Sequence, residues 1–368
     1  MKINRIIAAA LSLIMTAGAA YRTESINKEK AFSAAAAESY VQGTYSYLTY
    51  RRYSDHVEII GFDQSAAAVV IPRTIDGLPV TVIGDSAFNS CSGITSVIMP
   101  YGVKSIESNA FSYCINLTSI TVPTSVVSIG SYAFHGTSWF MDKQGKNPLV
   151  VVNDILIDGS GCYGDVVIPE SVRNIGVWAF YDCDSMTSVT IPSTVKCISD
   201  SAFTGCDGLT SVTVPESVTA IGDSAFSSCS ALDTITIKNP ECDIYAGSYT
   251  FTNGYDSDSC QYYFKGTICG YDGSTAQVYA EKYKRSFKSL GEAPPKPKVY
   301  GDATGDGLIG IDDVVKILMY TANKEGNPLN GEALDNADVY NRGDGVFISD
   351  ALAVQKKLAQ IIDTLPES

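Results

Sequence analysis

Residues 191–213 read IPSTVKCISDSAFTGCDGLTSVT, and this unit decides the fold because it recurs in phase along the middle of the chain. The Ala-Phe pair of the unit ends at six positions, with steps of 23, 23, 46, 23 and 23 residues: Phe88, Phe111, Phe134, Phe180, Phe203 and Phe226. The long step is two periods. A fixed period of about 20 to 50 residues is typical of a solenoid, in which each unit buries its apolar face against its neighbours.

Apolar spacing within the unit predicts how each coil is built. Leu209, Val212 and Val214 have the spacing of a short strand that alternates between core and surface. The return side of the coil is supplied by apolar residues further on: Val218, Ile221, Ala225 and Phe226. Ser199–Phe203 and its equivalents have the composition of a single helical turn. We therefore expect parallel strands stacked in one ladder, with turns and helical turns opposite.

The unit resembles the leucine-rich repeats of the BspA-like bacterial surface proteins, and the resemblance covers residues 71–240 closely. It implies a repeat solenoid with a 23-residue period. Residues 44–70 resemble the N-terminal cap hairpin of that family, and residues 241–290 contain its C-terminal capping segment. One unit is replaced by an insertion at 136–167, whose apolar run Leu149–Ile157 predicts a hairpin.

Charge and the N-terminus limit where the protein acts. The chain has 368 residues and a formal net charge of −14, which argues against nucleic acid and anionic membranes as partners. Lys2 and Arg5 precede an apolar run and a small-residue exit within residues 1–20, the pattern of an export signal. That run is too short to span a bilayer, and no other segment could span one. We expect a secreted, extracellular protein without membrane insertion.

Two acidic loops near the C-terminus have the composition of calcium-binding loops. They run over Asp302–Asp313 and Asp338–Asp350, and the helix-like stretches Val314–Tyr320 and Ala351–Ile361 follow them. Calcium takes about six to eight oxygen ligands, which an EF-hand loop supplies from alternating positions and from its last position. The first loop places these residues at those positions: Asp302, Thr304, Asp306, Leu308 (through its carbonyl) and Asp313.

Residues 301–361 resemble a type I dockerin, a family that binds cohesin domains on scaffolding proteins of cellulosome-like complexes. A Pro-rich linker, residues 291–300, precedes this region. The resemblance implies a small all-α module whose paired F-hand loops hold two calcium ions. In the second loop it carries over four ligands: Asp338, Asn341, Asp344 and Asp350. That loop has one residue more than the first, so the Tyr340 carbonyl is an alternative to Asn341.

The same resemblance implies which residues contact a cohesin. In the first segment these positions hold mostly apolar side chains: Ile311, Asp312, Leu318 and Met319. In the second segment, aligned on Asp350, they are more polar: Ile348, Ser349, Gln355 and Lys356. A dockerin with matching halves binds in two orientations. These halves differ, so we expect a single orientation with the first helix as the hydrophobic anchor.

Ten cysteines in an exported protein would ordinarily suggest disulfides. Five of them share one repeat register, three residues after the core Phe: Cys91, Cys114, Cys183, Cys206 and Cys229. Their Cβ vectors point the same way in stacked coils, so we interpret them as buried thiols that pack like small apolar residues. Cys242, Cys260 and Cys269 lie outside this ladder and are better disulfide candidates, without an assigned pair.

The repeat surface has few groups that bind or react. The strand residues predicted to point outward are nearly all hydroxyl-bearing: Ser96, Ile98, Ser119, Thr121, Ser188, Thr190, Ser211, Thr213, Thr234 and Thr236. This composition suits a β-surface and lacks aromatic side chains for stacking on sugars. A ligand site is therefore expected in the insertion, at Trp139, Phe140 and Tyr163. A second place is the Tyr-rich segment 245–263, where a capping role is the competing interpretation.

Sequence motifs for catalysis are missing. His56 and His135 are the histidines of the chain, and we interpret both as structural. No nucleophile elbow, phosphate loop or dinucleotide fingerprint occurs. We expect a non-catalytic, cellulosome-type component whose repeat domain serves adhesion to, or recognition of, a polysaccharide or a surface glycoprotein. A hydrolase with an unrecognised carboxylate pair and a purely structural spacer remain the alternatives.

Overall fold

A computed structural model describes residues 39–294, 303, 309, 311–322, 329, 333, 336–339, 346 and 348–358. The chain divides into two compact units, one over Ser25–Ala293 and one that contains Pro294–Ser368. The predicted export signal at 1–20 and residues 295–300 of the predicted linker lie outside the described residues.

Over its described residues, 39–293, the first unit has short strands and two helices. In its N-terminal half the strands are β1 (Val41–Tyr45), β2 (Leu48–Arg52), β3 (Val57–Phe62), β4 (Ala68–Val70), β5 (Thr74–Ile75), β6 (Leu78–Ile83), β7 (Ser96–Ile98), β8 (Ser105–Ile106), β9 (Ser119–Thr121) and β10 (Ser128–Ile129), followed by helix α1 (Ser138–Lys146). Its C-terminal half contains β11 (Val150–Val152), β12 (Ile155–Asp158), β13 (Gly164–Val167), β14 (Asn174–Ile175), β15 (Met186–Thr190), β16 (Cys197–Ile198), β17 (Ser211–Val214), β18 (Ala220–Ile221), β19 (Thr234–Ile237), β20 (Asp243–Ile244), β21 (Gly254–Asp256), β22 (Gln261–Tyr263), β23 (Thr267–Gly270), helix α2 (Thr275–Lys282) and β24 (Ser286–Ser289).

Each regular coil contributes to two parallel ladders. The longer strand β17 pairs with β19, Ser211 opposite Thr234, at the predicted position. The two-residue strand β16 pairs with β18 on the return side, Cys197 opposite Ala220. The sequence predicted a single ladder with turns opposite it. The second ladder forms because the return segment, extended around its buried Ile, pairs its backbone with neighbouring coils instead of leaving it unsatisfied.

The segment that contains the Ala-Phe pair is a turn, so the predicted helical turn is wrong. Ser201 has a left-handed φ of 53°, which interrupts a helix. The N–H groups of Ser201 and Phe203 donate to the carbonyls of Asp223 and Ala225 in the next coil, at 2.8 Å each. These turns therefore stack through a third set of hydrogen bonds between coils. We call the surface that they form the turn face.

The core is a column of repeated side chains. Phe203 and Phe226 are fully buried, and their rings stack with centroids 5.0 Å apart. The cysteines of the repeat register are buried as predicted, and the Cys206 Sγ lies 3.1 Å from the Phe180 carbonyl, to which it donates. All ten cysteines are free thiols, including the disulfide candidates Cys242, Cys260 and Cys269.

The insertion forms an irregular coil instead of interrupting the solenoid. The predicted hairpin over 149–157 is present as the antiparallel pair β11–β12, and β12 continues the return ladder by pairing with β14. Helix α1 precedes the hairpin and was not predicted. Five residues join β12 to β13, whereas 12 residues join β16 to β17 in a regular coil. The irregular coil therefore has no Ala-Phe turn, and the hydrophobic core divides there into two clusters, between Ile155 and Leu156.

Caps close both ends of the solenoid. At the N-terminal end, β1, β2 and β3 form an antiparallel meander, and β3 pairs in parallel with β6 of the first coil. At the C-terminal end, β23 and β24 extend the longer ladder, and α2 packs beside them. The hairpin β21–β22 projects between the last coils.

The second unit contains helices α3 (Ile311–Ala322) and α4 (Ile348–Leu358), which lie over or overlap the two predicted helical stretches. Their buried faces share a small core that includes Val314, Ile317 and Val354. Across the described ranges of both units, no helix has the length and apolar character needed to cross a membrane.

Candidate functional site

The structure separates the three residues predicted to bind a ligand in the insertion. Phe140 is 8% exposed and belongs to the core, so its ring has no face available to a ligand. Trp139 packs on Phe134, with ring centroids 5.0 Å apart. Tyr163 is 80% exposed at the opposite end of the irregular coil. The insertion therefore does not build the expected pocket from these side chains.

A group of aromatic side chains gathers instead on the turn face around the irregular coil. We call it the aromatic cluster: Tyr113, Tyr132, His135, Trp178 and Tyr181. Tyr132 lies 5.3 Å from His135 and 5.1 Å from Trp178 between ring centroids. Trp178 stacks on Tyr181 at 5.1 Å, and Tyr113 meets His135 at 5.5 Å. His135, interpreted from sequence as structural, is an exposed member of this cluster.

The cluster is open to solvent and its backbone is strained. Tyr113, Tyr132 and Trp178 are 55%, 43% and 37% exposed, respectively. Their φ values of 58°, 55° and 60° lie in the left-handed region, which is uncommon for bulky residues and costs on the order of 1 kcal/mol or more. Exposed rings recover little of this cost through burial. The same left-handed φ recurs at the equivalent turn positions of other coils, for example at Ser201 and Asp182, so it is a feature of the repeat. What distinguishes this cluster is that these positions hold large aromatic side chains.

The short turn of the irregular coil explains why the rings meet. Tyr132 and Trp178 occupy the same repeat position, two residues before a core Phe, and are 46 residues apart. The coil between them lacks the Ala-Phe turn, so it leaves a notch across which the two rings come into contact. Gly159 lies in this coil, where a Cβ would approach the Phe180 ring to 2.3 Å.

Asp158 supports the notch from the irregular coil. Its Oδ2 accepts a hydrogen bond from Gln144 Nε2 of α1 at 3.0 Å, and its Oδ1 accepts one from Ser160 Oγ at 2.9 Å. Burial raises the pKa of the Asp158 carboxyl, and the nearby His135 acts in the opposite direction. Both carboxylate oxygens are engaged, so Asp158 ties α1 to the hairpin instead of facing a ligand.

A second exposed aromatic group lies near the C-terminal cap. We call it the hairpin cluster: Tyr249, Tyr255 and Tyr262. Tyr262 contacts Tyr255 and Tyr249, with centroids 4.8 Å and 5.2 Å apart. All three side chains are exposed. These three rings therefore present surface to solvent, and both the ligand-binding and the capping interpretation of the segment stay predictions.

The outward face of the longer strands has the hydroxyl character predicted from the sequence. Ser211 and Thr213 are exposed, and Thr121 and Thr190 are too. A shallow polar groove of about 370 Å³ lies on this face between β15 and β17, and Lys238 lies at its edge. It contains no aromatic ring, so the turn face is the better candidate for ligand recognition.

Most of the predicted calcium ligands fall outside the described residues: Asp302, Thr304, Asp306, Leu308, Asn341 and Asp344. Asp313 and Asp350 are each the third residue of their helix and are fully buried. Asp350 Oδ1 accepts a hydrogen bond from the Val339 N–H at 2.8 Å, which ties the end of the second loop to its start. Within the described positions, no group of three or more His, Cys, Asp or Glu side chains could hold a metal ion.

The predicted cohesin-contacting residues of the first helix lie at the surface. Ile311, Leu318 and Met319 are exposed apolar side chains, and Asp312 is exposed beside them. The second helix was expected to be polar at its surface, and Gln355 is exposed there. The second helix also exposes two apolar side chains, Leu352 and Leu358, outside the positions predicted to contact a cohesin.

Comparison with known families and structures finds similarities in the repeat region. Six copies of the BspA type leucine rich repeat region match residues 69–142 and 159–262. A leucine rich cell surface protein from Faecalibacterium prausnitzii is 25% identical, over 65% of this chain and 73% of that one, with a TM-score of 0.35. The leucine rich repeat protein TpLRR of T. pallidum is 23% identical, over 67% of this chain and 98% of that one, with a TM-score of 0.31.

A partial similarity to an enzyme also exists. A xylanase/beta-glucanase from Ruminococcus flavefaciens is 30% identical over a stretch that covers 26% of this chain. That stretch is 15% of the enzyme's own length. The similarity therefore concerns a small part of both proteins.

Proposed function

We propose that the protein is an extracellular recognition component, because six copies of the BspA type leucine rich repeat match residues 69–142 and 159–262. Its solenoid presents the aromatic cluster to a polysaccharide or a surface glycoprotein. The observation that carries this proposal is that Tyr113, Tyr132 and Trp178 are exposed together at turn positions that hold small or polar residues in other coils. These rings leave apolar surface exposed in the free protein, and a ligand that stacks on them would bury it.

The proposed role is binding without turnover. Of the acids around the cluster, Asp158 is the one whose pKa burial raises, which is a property of catalytic acids. Its two oxygens are occupied by Gln144 and Ser160, which favours a structural role for this carboxylate. BspA-type repeat proteins are typically non-enzymatic, in agreement with this assignment.

Retention on an immobilised ligand tests the recognition role. The mature full-length protein should be retained on insoluble plant cell-wall material or on mucin-coated beads. Trp178→Ala should reduce retention about ten-fold, the effect of losing one aromatic contact of roughly 1.4 kcal/mol. Tyr101→Ala, which removes another exposed ring, is the matched control and should bind like the wild type.

Equal retention of Trp178→Ala and Tyr101→Ala would contradict the role of the cluster. Retention of none of the proteins on either surface would favour the structural spacer. Release of reducing sugar from the cell-wall material by the wild type would favour the hydrolase instead.

We further propose that residues 1–20 direct secretion and that residues 301–361 act as a dockerin, which tethers the protein to a scaffold through a cohesin. Two oxygen-rich loops, each followed by a helix, support this proposal. Asp313 and Asp350 are also buried at matching positions of their helices, as the last ligands of two equivalent calcium loops would be. Calcium bound there would neutralise the loop carboxylates and hold the two loops in shape.

The exposed apolar side chains of α3 are the proposed anchor for the cohesin. Leu318→Glu places a charge in that surface and should abolish binding to a cohesin panel in calcium-containing buffer. Gln355→Glu on α4 should leave binding intact, which makes it the control for added negative charge. If Gln355→Glu abolished binding and Leu318→Glu did not, α4 would be the anchor and this assignment would be refuted.

A further inference from the structure

One member of the hairpin cluster, Tyr249, has the same offset from a core Phe as Tyr132 and Trp178 of the aromatic cluster. Tyr132 and Trp178 lie two residues before a core Phe, and Tyr249 lies two residues before Phe251. Phe251 pairs with Phe226, which places Tyr249 in the coil that follows the last regular one. Trp178 and Tyr249 are therefore three coil steps apart, or about 14 Å at about 4.8 Å per step.

The surface between the two groups is polar. The coils that separate Trp178 from Tyr249 carry Ser201 and Ser224 at the same position, and both are half-buried. Asp200 and Asp223 precede Ser201 and Ser224, respectively, and Asp200 Oδ1 accepts a hydrogen bond from the Asp223 N–H at 2.5 Å. Two aromatic platforms are thus joined by a strip of hydroxyls and carboxylates.

Aromatic, polar and again aromatic surface follow one another along the turn face, and this order favours one class of ligand over others. A protein partner that spanned both platforms would place apolar side chains over this polar strip, where half-buried hydroxyls and carboxylates would lose the hydration that they retain. An anionic polymer would be repelled by the same carboxylates, and the chain as a whole has a net charge of −14. A neutral sugar chain matches both parts, because pyranose rings have apolar C–H faces that stack on aromatic rings and hydroxyls that donate to carboxylates.

We propose that a neutral polysaccharide lies along the turn face, parallel to the solenoid axis, and spans from the aromatic cluster to the hairpin cluster. This inference rests on the proposed recognition role and names its ligand class. One end of the sugar chain stacks on Trp178 and touches Tyr132, whose ring lies at 84° to that of Trp178. The middle follows the strip at Ser201 and Ser224, and the other end stacks on Tyr249.

The test uses the full-length protein in affinity gel electrophoresis with hydroxyethylcellulose as the neutral probe and polygalacturonate as the anionic one. The wild type should be retarded by hydroxyethylcellulose and not by polygalacturonate. Trp178→Ala and Tyr249→Ala should each weaken the retardation about ten-fold, while Trp178→Tyr should retain most of it because the ring is kept. Tyr101→Ala should behave as the wild type.

Chain length tests the span. Calorimetry with cello-oligosaccharides of increasing length should show affinity that rises until the sugar covers both platforms. In Tyr249→Ala this rise should disappear, while the affinity for the shortest sugars should stay as in the wild type. A rise that Tyr249→Ala leaves unchanged would overturn the span.

The outcomes separate this inference from the proposed function. Binding to mucin-coated beads that depends on Trp178, without retardation by hydroxyethylcellulose, would overturn the neutral polysaccharide and leave the recognition role intact. Stronger retardation by polygalacturonate than by hydroxyethylcellulose would also overturn it. A Trp178→Ala variant that matches the wild type with every probe would overturn both.

Discussion

Equivalent positions of this solenoid hold side chains of very different size. Two residues before the core Phe, the coils carry Ser86, Asn109, Ser201 or Ser224, and Tyr132 and Trp178 take the same left-handed backbone. The sequence contains this signal, because Tyr and Trp at a position that otherwise holds Ser or Asn depart from the repeat. It could not show that the two rings touch, since that contact depends on the short turn of the irregular coil.

Glu107 gives a prediction at the same scale. Burial raises the pKa of its carboxyl, with smaller contributions from the Glu58 and Asp85 charges. A raised folded-state pKa means that the ionised carboxylate destabilises the fold above that pKa and does not below the ordinary value of 4.5. Glu107→Gln should therefore unfold at higher urea concentration than the wild type at pH 7, and the difference should shrink as the pH falls towards 4.

An exposed acid provides the comparison for Glu107. Glu170→Gln removes the same charge from the surface and should change stability little at either pH. If Glu107→Gln were no more stable than Glu170→Gln at pH 7, burial of the Glu107 charge would not weaken the fold.

Thiol reactivity gives a second prediction. All ten cysteines lie in the described range 39–294, and Cys260 is the exposed one. Burial raises the pKa of Cys114 and of Cys197 to about 12, so their thiols remain protonated and inert. Titration of the native protein with a coloured disulfide reagent should show one fast thiol, and Cys260→Ser should remove this phase. A fast phase that survives in Cys260→Ser would show that the ladder thiols are accessible.

At the scale of elements, the repeat spacing was sufficient to predict the coil but not its full pairing. The longer strand β17 follows from the spacing of Leu209, Val212 and Val214. The return ladder rests on strands of two residues, which are too short to show a period. The turn was misread as helical because Ser, Asp and Ala are common in first helical turns, and the hydrogen bonds that decide its shape come from the next coil.

The irregular coil gives a prediction at this scale. Gly159→Ala would place a Cβ 2.3 Å from the Phe180 ring and should destabilise the protein by about 1–3 kcal/mol, measured by urea unfolding. Gly145→Ala in α1 is the matched control, because a Cβ there meets nothing within 4 Å. The control should stabilise the protein slightly, by up to about 1 kcal/mol, since Ala favours a helix over Gly. Equal effects of the two substitutions would show that Phe180 moves aside at little cost.

At the scale of the whole molecule, the two compact units should respond differently to calcium. The proposed dockerin holds several carboxylates close together, and without a cation these groups repel one another. Adding a chelator should lower or abolish the melting transition of residues 301–361 and leave that of the solenoid unchanged. Thermal unfolding followed by calorimetry, with and without EDTA, measures both transitions in the full chain. An unchanged transition of the C-terminal unit would contradict the calcium proposal.

The architecture of the first unit could be predicted from the sequence, but the exposure of its aromatic side chains could not. The repeat period predicted the architecture of the first unit, because each coil needs only its neighbours and those neighbours are visible as repeats. The sequence grouped Trp139, Phe140 and Tyr163 as one possible ligand site, whereas the structure separates them and buries Phe140. The sequence alone does not distinguish a buried aromatic ring from an exposed one. Phe140 lies on the buried side of helix α1, and this helix was not predicted because it does not follow the repeat pattern.

The left-handed turn position has a consequence for the design of new binding proteins. It recurs every 23 residues, lies at the surface side of the coil and accepts Ser, Asn, Tyr or Trp without a change in the buried Phe below it. Each coil therefore offers one surface position that can be substituted while the core stays the same. Replacing Ser201 and Ser224 by aromatic residues would join the two separate platforms into a continuous one. Under the proposed recognition role, the number of substituted positions would then set the length of sugar that the surface binds.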